Sequence, residues 1–139
     1  MFHPEAEGIK FLPTVLGSPK TGAEYSPSFF QHTDPAWDWT QDNYSGGPGT
    51  LMYRLDHVTF AILKLIGCRE MAGRLGLEDD VNEYTEMIGR AKELVKTLFW
   101  NEERHTFVDV DTATEKQCDE AIGYECFFPY MYHLFESDA

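Results

Sequence analysis

The chain has 139 residues, of which 42% are apolar and 25% charged, a composition that is ordinary for a globular domain and argues against wholesale disorder. Its 11 Lys and Arg residues against 24 Asp and Glu give a formal net charge of −13 at pH 7. Because a phosphate backbone is bound through clustered cations and this sequence has no basic run, we predict no nucleic-acid partner.

The cysteine and hydropathy patterns predict neither a metal site nor a membrane segment. Cys68, Cys118 and Cys126 form no Cys-x-x-Cys pair and are odd in number, which argues against a disulfide framework and a structural zinc site. We expect no cofactor. No signal peptide opens the chain and no apolar run is long enough to cross a bilayer, so we predict no membrane partner, while a cytoplasmic and a secreted location both fit.

Residues 1–50 differ from the rest of the chain, and we treat them as a loop-rich segment. They hold all but one of the prolines and end in Gly-Gly-Pro-Gly, which makes regular helix improbable over most of their length. A loop this long in a compact domain calls for a functional reason.

Two clusters in this loop place a carboxylate among aromatic rings. One contains Glu24, and the other contains Asp38 between Trp37 and Trp39. A carboxylic acid beside aromatic surface loses hydration, which raises its pKa and makes it a usable proton donor near neutral pH. The aromatic faces also suit sugar rings. Carboxylates in Pro-rich loops more often cap turns, so a structural role is the alternative for both.

Residues 51–100 read as a pair of antiparallel helices. Apolar residues recur at helical spacing in both halves, and the second half has a charged opposite face. Gly76 fits the position just past a helix end, and the acidic residues 78–80 suit the positive end of the next helix dipole. The short link between the helices predicts an αα-hairpin.

The remainder of the chain adds a short strand and the start of another helix. The alternation in residues 105–111 predicts a β-like segment, and residues 111–123 read as loop. Pro129 suits a first helical turn, so we predict a helix from about there to Phe135. The aromatic run 124–135 is too apolar to be left exposed. Residues 51–139 therefore predict a helical hairpin followed by the beginning of the next one.

Four blocks of the sequence resemble, in order, the six-hairpin glycosidases. Residues 56–76 resemble the family helix "DLNxxL…LAxMAxxLG", and Phe99-Trp100-Asn101 resembles its "FW(D/N)" ending. Residues 105–111 match a "gxfyDvd" strand, and residues 127–134 match a "gffPLyxgL" helix start. The nearest groups are the family 63 glucosidases, the trehalases and the mannosylglycerate hydrolases. The resemblance implies an all-α fold, namely part of an (α/α)6 toroid whose remaining hairpins lie in sequence beyond this chain.

The resemblance also implies site residues. The family's acid motif "SGWDNSPRW" is similar to residues 21–29, which places Glu24 where the family has its general-acid Asp; Tyr25 and Ser28 depart from the motif. Asp38 is a rival match. Trp37, Trp39 and Asp56 are expected to contact sugar.

The family's reaction sets further expectations. Its members use an inverting mechanism, in which a second carboxylate about 6.5–9.5 Å from the acid activates water. The family's base lies far downstream, and Glu125 does not match it. We therefore expect a glucoside- or mannoside-cleaving hydrolase that is inactive as an isolated piece. The alternative is a non-catalytic carbohydrate-binding or interaction domain on the same helical framework.

Overall fold

The computed structural model describes residues 2–13, 15–16, 51–112, 114–118 and 122–136. These residues are mostly helical and also form two small antiparallel sheets. The helices are α1 (Leu55–Leu75), α2 (Glu78–Leu94) and α3 (Phe128–Met131). Shorter helical turns are a 3₁₀ turn at Gly8–Phe11, a π turn at Val95–Phe99 and a 3₁₀ turn at Tyr124–Phe127. The strands are β1 (Val15–Leu16), β2 (Leu51–Tyr53), β3 (Trp100–Asn101), β4 (Thr106–Phe107), β5 (Asp109–Asp111) and β6 (Gln117–Cys118).

The predicted αα-hairpin is confirmed, and its corner forms as the sequence indicates. Gly76 adopts a left-handed conformation at φ 72°, which a residue without a Cβ accepts at little cost. The amide N–H of Leu77 donates to the carbonyl of Ala72, and that of Gly76 donates to Gly73. These two bonds close the helix end in a Schellman motif, and α2 begins at Glu78 with three acidic residues in its first turn.

The first helix begins later than its apolar spacing suggests. Residues 51–53 were expected to be helical, but they form strand β2, which pairs with β1 on one side and β5 on the other. A strand with partners on both sides satisfies its backbone polar groups in the sheet, so helix gains nothing there. The expected mainly helical class is therefore confirmed, and the β structure extends beyond the predicted segment to a small sheet of order β1-β2-β5-β6.

The β-like segment predicted at residues 105–111 forms two strands. β4 pairs with β3 across the turn at residues 102–105, and β5 joins the four-stranded sheet. Val108 lies between the two strands, and its amide donates to the carbonyl of Phe99. The sheet therefore lies close to the end of the hairpin and gives β5 access to α1.

The third helix is shorter than predicted. It ends at Met131 instead of Phe135, because His133 takes a left-handed conformation at φ 52°. The amide N–H of Leu134 donates to the carbonyl of Pro129, and that of His133 donates to Tyr130. These bonds close the helix in a second Schellman motif, and the His133 ring lies 2.7 Å from the carboxylate of Glu136.

One apolar core joins the two long helices to the sheet and to the N-terminal segment. Arg90 of α2 lies over the ring of Phe11, 4.0 Å from its centroid, and donates hydrogen bonds to the carbonyls of Pro4 and Ala6. The buried core residues are Phe2, Ile9, Phe11, Leu12, Tyr53, Leu55, Val58, Ile62, Leu65, Ile88, Ala91, Val95, Phe99, Phe107, Val110 and Leu134.

Candidate active site

The N-terminal end of α1 collects buried charged side chains from three elements. Arg54 and Asp56 lie at the start of α1, Asp109 lies on β5, and Glu125 lies in the turn before α3. All four residues are buried. Because an ion loses several kcal/mol of hydration on burial, such a group is retained only where partners compensate it.

Two carboxylates satisfy backbone donors at this helix end. The residue before the helix, Arg54, supplies no side-chain cap. Instead, the Asp109 Oδ1 accepts a hydrogen bond of 2.7 Å from the amide of Leu55, and the Asp56 Oδ1 accepts one of 2.7 Å from the amide of His57. The first amides of a helix have no intrahelical partner, and the helix dipole favours negative charge there. The fold thus places two anions where the helix stabilises them.

Asp56 is also held by a buried ion pair. Its Oδ2 lies 2.9 Å from the Nη2 of Arg54, and the two side chains are 9% and 2% exposed. A carboxylate has about four acceptor positions, and these two contacts occupy two of them. Asp56 is therefore fixed in orientation and retains acceptor capacity at the edge of the buried cluster.

His57 is the half-buried neighbour of this pair. Burial lowers the pKa of its imidazole below the usual 6.5, which outweighs the nearby Asp56 carboxylate, while Arg54 and Lys64 lower it further. His57 is therefore neutral at pH 7, with one ring nitrogen donating and one accepting. Such a group matches a hydroxyl, which also donates and accepts.

Glu125, the fourth buried charge, lies in the turn before α3, and both it and Asp109 act on the neighbouring Cys126. The Glu125 carboxylate lies against the Cα of Gly123 so closely that a Cβ at that position would collide with both carboxylate oxygens. The neighbouring thiol of Cys126 has its pKa raised to about 12 by burial and by the carboxylates of Asp109 and Glu125. Cys126 is therefore a protonated, unreactive thiol at neutral pH.

An aromatic surface lies beside this cluster. Phe60 of α1 contacts Phe128 and Tyr132, and Phe128 also contacts Tyr124, with ring centroids 5.4 to 5.7 Å apart. The expectation that the run 124–135 would be buried is wrong for several members, since Tyr124 is 64% exposed and Phe127, Tyr130 and Met131 are also exposed. The surface presents apolar ring faces together with two phenolic hydroxyls.

The structure places one of the five predicted site residues. Glu24, Trp37, Asp38 and Trp39 lie outside the described residues, and their roles stay predictions. Asp56 lies at the start of α1, inside the buried cluster. Sequence reasoning missed Arg54, its ion-pair partner, and Asp109, which accepts the amide N–H of the adjacent Leu55. The available signal was a charge set directly between apolar neighbours, as in Tyr-Arg-Leu and Val-Asp-Val.

The described residues 2–13, 15–16, 51–112, 114–118 and 122–136 contain neither a clustered set of metal-ligand side chains nor a membrane-spanning helix. No group of three or more His, Cys, Asp or Glu side chains within these ranges is arranged to hold a metal ion. Within the same ranges, no helix combines the length and the hydropathy needed to cross a membrane.

A helical hairpin that carries a buried carboxylate beside exposed aromatic rings is consistent with a glycoside hydrolase domain, and comparison with known families supports that class. The family model of the mannosylglycerate hydrolase MGH1-like glycoside hydrolase domain matches residues 10–138. The chain therefore belongs to this family, which confirms the resemblance to six-hairpin glycosidases of the family 63 and mannosylglycerate hydrolase type. No curated protein and no solved structure matches the chain.

Proposed function

We propose that this chain is part of a glycoside hydrolase that cleaves O-glycosidic bonds of glucosides or mannosides. The observation that carries the proposal is the family match over residues 10–138. The buried carboxylates and exposed aromatic rings at the start of α1 support it, because sugar hydroxyls need acceptors and sugar rings have apolar faces.

The proposed reaction is acid/base hydrolysis with inversion. Glu24 donates its proton to the departing glycosidic oxygen while a second carboxylate, beyond this chain, takes a proton from the attacking water. Because Glu is longer than Asp by one methylene, the backbone around Glu24 would have to be set back for the proton to arrive at the same place. Asp38 is the rival acid.

The proposed sugar contacts divide into stacking and hydrogen bonding. Trp37 and Trp39 would cover an apolar ring face. Asp56 would accept a hydrogen bond from a sugar hydroxyl with the acceptor positions that Arg54 and the amide of His57 leave open. The hairpin of α1 and α2 would then be one inner and outer pair of an (α/α)6 toroid, with the remaining pairs supplied by sequence beyond the chain.

The test uses the protein that contains this chain, assayed on a panel of glucosides and mannosides. Glu24→Gln keeps the size of the side chain and removes the proton, so kcat should fall about 10²- to 10⁴-fold. The matched control is Asp38→Asn, which should keep most activity. Wild-type turnover in Glu24→Gln would remove Glu24 from the mechanism, and an NMR reading of the first-formed product anomer tests inversion.

The isolated chain gives a second test of the same proposal. Without the base and the other hairpins, the purified 139-residue polypeptide should hydrolyse none of these glycosides. Measurable hydrolysis by it would contradict the division of the catalytic pair between this chain and the rest of the toroid.

The aromatic surface favours one alternative, a non-catalytic carbohydrate-binding domain. Phe60, Tyr124, Phe128 and Tyr132 could hold a sugar without any acid or base. Titration of oligosaccharides followed by NMR separates the two functions: binding with no turnover by the complete protein, and no effect of Glu24→Gln on binding, would favour the alternative.

A further inference from the structure

We propose that Asp109 is a positioning residue that holds the sugar-contacting start of α1 in place from the neighbouring sheet. The inference rests on the proposed function in assigning sugar contact to Asp56. The claim that Asp109 holds the start of α1 in place does not depend on the proposed function.

The contact joins two elements that are far apart in the sequence. The Asp109 carboxylate on β5 accepts the amide N–H of Leu55 at 2.7 Å, across 54 residues. Leu55 is the first residue of α1 and is 0% exposed. Water therefore cannot replace the carboxylate, and without it a buried donor would be left unsatisfied.

The local sequence offers no substitute for this cap. An ordinary helix start has Ser, Thr, Asp or Asn before the first turn, whereas here that residue is Arg54, which makes no side-chain cap. Arg54 and Asp56 flank Leu55 on either side and form the buried ion pair. Fixing the backbone of Leu55 therefore also fixes the adjacent backbone from which the Arg54 and Asp56 side chains extend.

Asp111 provides a matched control on the same strand. It is 5% exposed against 2% for Asp109. Its Oδ1 accepts hydrogen bonds from the amide and the hydroxyl of Thr114, at 2.7 and 2.9 Å, so it organises the turn after β5. Loss of either carboxylate perturbs a buried contact of β5; the bond of Asp109 is to the first residue of α1, whereas the bonds of Asp111 are to Thr114 in the turn after β5.

The first measurement needs no substrate. Asp109→Ala should speed hydrogen exchange of the Leu55 amide about tenfold, the range expected for loss of a helix cap. It should also move the pKa of the His57 ring up towards 6.5, because a loosened first turn rehydrates a ring whose pKa is lowered chiefly by burial. Asp109→Asn, which keeps an acceptor oxygen, should restore most of both values, and Asp111→Ala should leave both unchanged.

The second measurement is kinetic and uses the complete protein. Asp109→Ala should raise KM for the glycoside about tenfold with kcat within about threefold, because Asp56 is proposed to bind substrate and transition state alike. Asp109→Asn should recover most of the loss in KM.

Three outcomes decide the matter. Equal effects of Asp109→Ala and Asp111→Ala on Leu55 exchange and on His57 would overturn the proposal, since Asp109 would then be an ordinary strand residue. Unchanged KM in a folded Asp109→Ala variant would overturn its link to sugar binding. If the protein hydrolyses no glycoside, the proposed function fails, while the exchange and His57 measurements still decide whether Asp109 holds α1.

Discussion

Replacing Arg54 with methionine tests whether the ion pair between Arg54 and Asp56 is excluded from solvent, as its geometry indicates. Arg54→Met keeps most of the side-chain volume and leaves the Asp56 carboxylate buried without the cation that now lies 2.9 Å away. Removing one partner of a buried pair costs about 3–5 kcal/mol. The hydrogen bond from the His57 amide and the dipole of α1 still stabilise the carboxylate. We therefore expect about 3 kcal/mol, the lower end of that range.

The assay is equilibrium unfolding in urea, which gives the change in the free energy of unfolding provided that its slope against urea concentration, the m value, is the same in both proteins. Arg74→Met is the matched control, because Arg74 is an exposed residue near the other end of the same helix; it should change stability by less than about 0.5 kcal/mol. A double variant, Arg54→Met with Asp56→Leu, should be more stable than Arg54→Met alone, since it leaves neither member of the ion pair buried without its partner. A loss below about 1 kcal/mol for Arg54→Met is the value of a solvated surface pair and would refute the reasoning.

Two further predictions concern the surroundings of this pair. Gly123→Ala should lower the free energy of unfolding in urea, because the added Cβ would collide with the Glu125 carboxylate. The control is Gly89→Ala on α2, where a Cβ meets open space, and it should stabilise the protein by about 1 kcal/mol. Equal effects of the two variants would show that the Glu125 side chain moves aside freely. The pKa of His57 is lower in the folded protein than in the unfolded chain, so as the pH falls the unfolded chain is protonated at His57 first, and stability should be lost from about pH 6.5 downwards. His57→Gln should flatten that part of the profile of stability against pH. An unchanged profile would contradict the lowered pKa of His57.

The sequence predicts the parts of the fold that depend on neighbouring residues. The corner of the hairpin is local in this sense, because Gly76 and the acidic start of α2 adjoin one another. The exceptions depend on partners elsewhere in the chain. Leu51 fits the apolar period of the helix, yet it is in a strand because β1 and β5 pair with that strand. His133 ends α3 at a position where glycine is the usual residue, so its left-handed conformation carries no clear local signal.

In the candidate site, too, some residues can be predicted from the sequence and others only from the fold. Asp56 could be selected from its place in a motif and is found at the start of α1. Asp109 could not be selected, because its hydrogen bond to the amide of Leu55 depends on how β5 packs against the helix. A charged residue between two apolar neighbours in the sequence indicates that the charge is buried, but only the fold shows which backbone donor it contacts.

The attachment of the N-terminal segment to α2 has a consequence for biosynthesis. Phe11 is covered by Arg90, which is translated about eighty residues later; at about 5–20 residues per second the delay is roughly 4–16 s. Throughout that interval Phe2, Ile9, Phe11 and Leu12 lack the apolar environment that buries them in the folded chain. These residues therefore leave the ribosome before their partner α2, and until α2 emerges they form an exposed apolar segment of the kind that chaperones bind.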